Sequence, residues 1–338
     1  MSRLRLPSIL LALGLAGCGG SHAATASHPT GPSVAPVGGG SVTVTRVAGT
    51  SDSAQDVATA AAGTPGAFGP RSEVQPLPVK AFRRPVARWR VYAAGQASAS
   101  HAAATALAAD LAAGDRAAGK QDWQRSYDHF VRIGAAYGAL GELGTAIGGR
   151  PGAFPGGVHD PHFTGLHRIE RVLFGGGSLA SLRGPAQRLV ADTGRLRHRV
   201  RHMAVEPLDY ATRAHEILED AQRDQLSGTE APWSHAGLRT TADAVVATRV
   251  VLGTLRPLLQ GRGDALPPVE ARLGSLEAEL AAIRRSHGGT LPALGELSRP
   301  AREQVQGRVG AALEALSGLP GALETTLPPV IPAIPKAK

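Results

Sequence analysis

Cysteine is nearly missing from this chain: there is one in 338 residues, Cys18. A single thiol excludes an intramolecular disulfide framework and any multi-cysteine metal site. Aromatic residues are scarce at 4%, which suits helices packed through small and aliphatic side chains. After the first residues no run reaches 18 apolar positions, so no later segment is expected to span a bilayer. The P-loop, the GxSxG elbow, HExxH and the dinucleotide fingerprint are all missing. Glycine runs such as Gly38–Gly40 lead into no helix carrying Lys-Ser or Lys-Thr, so they do not read as phosphate cradles. Acidic residues are the minority, 27 against 36 Lys and Arg, for a net charge of +9. Such a balance suits nucleic acid or anionic lipid. Arginine is nevertheless spread along the chain rather than gathered in one patch, and nucleic acid is not an expected partner.

What is present begins at the amino terminus. Arg3 and Arg5 precede an apolar stretch from Leu6 to Leu15, too short for a finished transmembrane helix. The stretch ends in Leu15-Ala16-Gly17-Cys18, which resembles a lipoprotein signal-peptidase site. Residues 1–17 are therefore expected to be a signal peptide, with Cys18 lipidated as the first mature residue. The implied location is the extracytoplasmic face of the cell membrane, held through the lipid anchor. Residues 18–76, rich in Gly, Ser, Ala, Thr and Pro, cannot bury enough apolar surface to order themselves and read as a flexible stalk. Ser41 to Val47 alternates Val with Thr, a strand pattern without partners.

From residue 77 to 318 the periodicity is helical, and 319–338 reads as a Pro-rich disordered tail. The spacing predicts a short helix over Phe82–Tyr92 interrupted near Pro85, then helices over Ser98–Gly114 and from Arg116 to about Leu143. Trp123, Tyr127, Phe130, Ile133 and Tyr137 recur at three- and four-residue spacing, a pattern read here as core packing. Thr164 stands where an N-cap would open a helix through Leu173, closed by Gly175-Gly176-Gly177. Further helices are expected over Ser178–Met203, Pro207–Leu226, Ser234–Leu259, Pro267–His287 and Ser298–Leu316. The chain is thus all-α, with long helices packed antiparallel as one or two bundles.

Chemistry concentrates between Gly156 and Glu170. Residues three apart lie on one face of a helix, so His167 and Glu170 form an imidazole–carboxylate pair suited to iron, zinc or manganese. Two ligands from one turn are too few for tight binding. His215 and Glu219, four apart on a later helix, can supply more, as can His159 and Asp160 in the loop before Thr164. His198 and His202 sit among Arg195, Arg197, Arg199 and Arg201, whose charge repels a cation.

The stretch from Gly156 to Glu170, with Gly165, His167 and Glu170 as a Gly-x-His-x-x-Glu core, resembles the signature of the imelysin-like family. Within that family it is most similar to EfeO-type iron-uptake lipoproteins of actinobacteria. Arg132–Gly138, Arg213–Glu219 and Thr248-Arg249 with Leu255–Leu259 agree in the same order, so the resemblance runs from about Leu77 to Leu316. It implies an imelysin-like pair of antiparallel helical bundles, with metal on His167 and Glu170. Iron is the implied cargo and zinc the other metal such donors take. The implied partners are an iron permease and a haem peroxidase. The resemblance also carries two alternatives: a metal-dependent peptidase of the imelysin type, and a degenerate partner-docking lipoprotein without metal. Two departures bear on this. The cupredoxin-like domain that opens many such proteins is not expected here, since the stalk residues offer no methionine or buried cysteine for copper. Acids common in the family are also replaced, by Gly148 after Ala146-Ile147 and by Val246 before Ala247-Thr248.

Overall fold

A computed structural model describes residues 75–136 and 139–325. The expected signal peptide, Cys18, and the stalk with its Ser41–Val47 pattern lie outside the described residues, apart from residues 75 and 76. Within the described residues the fold is all-α, and the sole β feature is an isolated parallel bridge between Leu77 and Thr325.

The first helix, α1 (Arg83–Ala113), runs unbroken for 31 residues. The expected break near Pro85 does not occur because Pro85 falls in the first turn, where its missing N–H needs no partner. Gly114 ends α1 in the left-handed region at φ 80°. Asp115 then caps α2 (Arg116–Arg132), its side chain accepting from the Ala118 N–H at 2.9 Å. A two-residue connection leaves α1 and α2 antiparallel. They meet along a small-residue seam: Ala93, Ala97, Ser100 and Ala104 are fully buried, and the hydroxyls of Ser100 and Ser126 each donate to the other's carbonyl.

Helix α2 stops about ten residues earlier than its aromatic spacing suggests. Gly134 has φ +59°, and a Cβ there would lie 2.8 Å from the Ala247 Cβ, so the chain turns where another helix presses against its backbone. A short α3 (Glu142–Gly148) follows. Then comes α4 (Gly165–Phe174), with Thr164 at the N-cap position, though its side chain makes no capping bond. Helix α5 (Arg183–His202) packs on α1 and α4, completing the first bundle.

The second bundle comprises α6 (Pro207–Asp220), α7 (Gly237–Leu259), α8 (Leu266–Ser286) and α9 (Arg299–Leu316). Helix α6 continues into a π-turn over Ala221–Gln225. Contacts of α7 with α1 and α2 join the bundles into one core. A final turn, α10 (Leu319–Ala322), buries Leu319 and Leu323 completely. Residues 319–325 thus depart from the expected disordered tail, because two leucines dock them on the core, and 326–338 lie outside the described residues.

Candidate metal centre

Two buried tryptophans fix the frame around α4. The Trp89 indole N–H donates to the Ile133 carbonyl at 3.2 Å, and that of Trp123 to Leu166 at 2.8 Å. Gly165 begins α4 at φ +77°, and a Cβ there would come within 2.3 Å of the Ile147 carbonyl oxygen. Helices α3 and α4 thus meet backbone to backbone, which sets His167 and Glu170 wholly inside the protein.

His167 Nδ1 lies 2.8 Å from Glu170 Oε2. Glu170 Oε1 accepts three further donors from the loop before α7: the backbone N–H groups of Trp233 (3.1 Å) and Ser234 (2.8 Å), and the Ser234 hydroxyl (2.8 Å). Because the carboxylate accepts, the imidazole donates from Nδ1, and Nε2 is left with its lone pair. That buried Nε2 has no hydrogen-bond partner among the described residues. Its nearest carboxylate oxygen is Oε1 of Glu230, 3.9 Å away. The Tyr127 hydroxyl lies 2.9 Å from the same oxygen, and the Tyr127 ring stands edge-on to the imidazole at 5.4 Å.

Glu230 also opens onto a cavity of about 520 Å³. One side is polar: Arg150 lies 2.9 Å from Asp224 and 3.4 Å from Glu230. Burial raises the Asp224 carboxyl, but hydrogen bonds from Arg150 and Arg223 outweigh it and hold the group below its usual range. The opposite side is apolar, with Phe130, Val131 and Leu140. At Gly148, where an acid is common in the resembled family, a Cβ would lie 2.4 Å from the Phe130 ring. An aromatic ring therefore occupies the space an acidic side chain would need. Val246, the other replaced position, is exposed on α7.

Behind this wall a charged network ties α2 to α7. Arg239 chelates Asp128 through Nε (3.0 Å) and Nη2 (2.6 Å), and Arg132 holds Asp243 Oδ1 at 2.7 Å. Burial, with the Asp128 charge beside it, pushes the Asp243 carboxyl up to about 7.

The six metal candidates of the sequence do not form one site, since no three His, Cys, Asp or Glu among the described residues are grouped to share an ion. His167 and Glu170 are in contact. His215 and Glu219 face each other at 3.7 Å on partly exposed α6. His159 and Asp160 line a different cavity, where Asp160 accepts from the backbone N–H groups of Gly156 (2.9 Å) and His162 (2.8 Å). Those two bonds hold the Asp160 carboxyl below its usual range. Glu230 was not foreseen. It lies in a loop without helical spacing, and only its place between Gly228 and Trp233, in a segment that returns to α4, marks it. Tyr127 belongs to the core, as its helical spacing predicts, and its hydroxyl also reaches the site.

Comparison with known proteins gives a match to the imelysin family model (peptidase M75) over residues 85–319. Proteins called iron uptake system component EfeO, from Escherichia coli K12 and from Shigella flexneri, are 28% identical to this chain over 196 residues. The same figures hold for the protein of that name from Escherichia coli O157:H7. The aligned segment is 58% of this chain and 52% of each relative, so the chain spans about half the length of the curated relatives it matches.

Proposed function

This chain belongs to the imelysin family, and on that premise we propose that it is an extracytoplasmic, lipid-anchored metal-binding component of an EfeO-type iron-uptake system. The observation that carries the reading is the buried, unpartnered Nε2 of His167, its lone pair directed by the Glu170 bond at Nδ1. Iron is cargo in this reading. His167 contributes the nitrogen and Glu230 the facing carboxylate, while Glu170 fixes the imidazole from behind, a role that outer carboxylates commonly play for histidine ligands. Glu170 already accepts four donors, so it acts on the metal through His167. A hard carboxylate favours ferric iron over zinc, and two protein donors leave positions for ligands that the cargo brings with it. The relatives' name, iron uptake system component, supports iron uptake; a permease and a haem peroxidase are the partners we propose for it. Among the described residues no helix is long and apolar enough to cross a membrane. Attachment in this reading is through Cys18, with 1–17 as the signal peptide, 18–76 as the stalk and the helical domain running from 77 through the docked turn at Leu319–Ala322.

One observation favours a second reading. The Phe130 ring at Gly148, with no three-donor group among the described residues, suits a family member that has given up metal for partner docking. Metal analysis and calorimetric titration with ferric iron and zinc distinguish the two, using the full chain beside His167→Ala and Glu230→Ala. The uptake reading expects iron binding that His167→Ala abolishes and Glu230→Ala weakens. Equal, negligible binding by all three proteins leaves the docking reading.

A further inference from the structure

Beside α4, and not lined by His167 or Glu230, lies a separate cavity of about 730 Å³. Its walls come from three places in the chain. Helix α4 supplies Arg168 and Arg171, the first turns of α5 supply Arg188, and the preceding loop supplies His159 and Asp160. Three arginines thus line the cavity with one carboxylate, and that carboxylate accepts from the backbone N–H groups of Gly156 and His162. The arginines are only weakly satisfied. Arg171 donates to the Val158 carbonyl at 3.1 Å, and Arg188 stands 3.9 Å from Asp192, which Arg195 already engages. Arg168 has no hydrogen bond or ion pair among the described residues, although it is half-buried. Three positive side chains to one carboxylate leave the lining with a net positive charge, and like charges repel. An anion entering the cavity relieves that repulsion.

We infer that this cavity is a binding site for a phosphate-bearing anion. A cation is repelled there, and an apolar ligand would leave the guanidinium forks without acceptors. A tetrahedral oxyanion offers several acceptors at once, which suits the planar guanidinium forks that two helices contribute to the lining. The volume exceeds that of inorganic phosphate, so the phosphate is either free or carried by a lipid headgroup. The inference concerns neither His167 nor Glu230 and stands or falls apart from the metal reading.

The full chain is titrated calorimetrically at low salt with inorganic phosphate and, separately, with dihexanoyl phosphatidylglycerol below its micelle concentration. Binding of at least one is expected, weakened about tenfold by Arg168→Gln and by Arg188→Gln and unchanged by Arg285→Gln on the distant end of α8. Phosphate alone binding assigns a free anion; the lipid binding as well or better assigns a headgroup. Arg188 is exposed on its helix, so its variant keeps the test sound if Arg168→Gln lowers the melting temperature. Binding of neither probe, or equal effects of all three substitutions, overturns the inference.

Discussion

His167 and Glu170 lie one helical turn apart on α4, fully buried, and joined by a 2.8 Å bond from Nδ1 to Oε2. The pair is asymmetric. Glu170 is saturated by the histidine and by the loop that carries Trp233 and Ser234, whereas His167 keeps one unengaged nitrogen. Glu170 therefore has two duties, orienting the imidazole and clamping the loop that brings Glu230 opposite it.

These duties separate by substitution. Glu170→Ala strands four donors, the His167 imidazole and three groups of the half-buried Trp233-Ser234 loop, at a cost of about 3–5 kcal/mol in urea unfolding. Glu170→Gln keeps the shape but presents an amide, freeing the ring to change tautomer. It should cost less stability and lower iron affinity about 10–100-fold. Iron binding by Glu170→Gln at wild-type strength would falsify the orienting role.

The motif His-x-x-Glu was legible because helical spacing alone puts the two side chains on one face. The helical segments were legible too, since 3.6-residue periodicity survives in an alanine-rich chain. Where α2 ends was not, because Gly134 turns the chain only in answer to Ala247 over a hundred residues away. Glu230 was hidden for a related reason: a loop residue gains meaning from where the loop lands, which Glu170 decides by accepting its N–H groups. The unbroken α1 shows the opposite case: a first-turn Pro85 interrupts nothing, and the helices expected separately over Phe82–Tyr92 and Ser98–Gly114 are one, continuous through Ala93, Gly95 and Ala97.

Asp243 makes stability depend on pH in an unusual direction. Its folded carboxyl titrates near 7 against 3.8 in the unfolded chain, so the folded protein holds a proton that the unfolded one has released. The stabilisation this gives is present at low pH and is lost as pH rises from about 4 to about 7. The loss is at most about 4 kcal/mol. Asp243→Asn removes this titration. Denaturant midpoints measured at pH 4.5, 6 and 7.5 should show the variant gaining on the wild type as pH rises; parallel curves would refute the assignment.

Gly165→Ala tests the contact of α3 with α4. The left-handed φ of +77° and carbonyl oxygens at 2.3 and 2.4 Å from the added carbon leave no rotamer that escapes. The expected loss is about 3 kcal/mol or more, with His167 displaced and metal binding reduced along with it. A loss below about 1 kcal/mol, the cost of an unstrained glycine replacement, would show that α3 slides away freely.

Gly148→Asp asks whether an acid can be returned to the cavity wall. Alone it forces the new Cβ against the Phe130 ring, 2.4 Å from its nearest carbon, so stability should fall by about 2 kcal/mol. Phe130→Ala alone should also destabilise, because the ring packs against the core from the edge of the cavity. Combined, the two changes exchange a ring for a carboxylate in the same space, and the double variant should be more stable than the sum of the single losses, by about 1 kcal/mol. A carboxylate placed there adds an oxygen donor to the cavity onto which Glu230 opens, so iron affinity should rise above that of the wild type. Strict additivity of the two losses, together with unchanged iron affinity, would mean that Phe130 does not stand in the place of the missing acid.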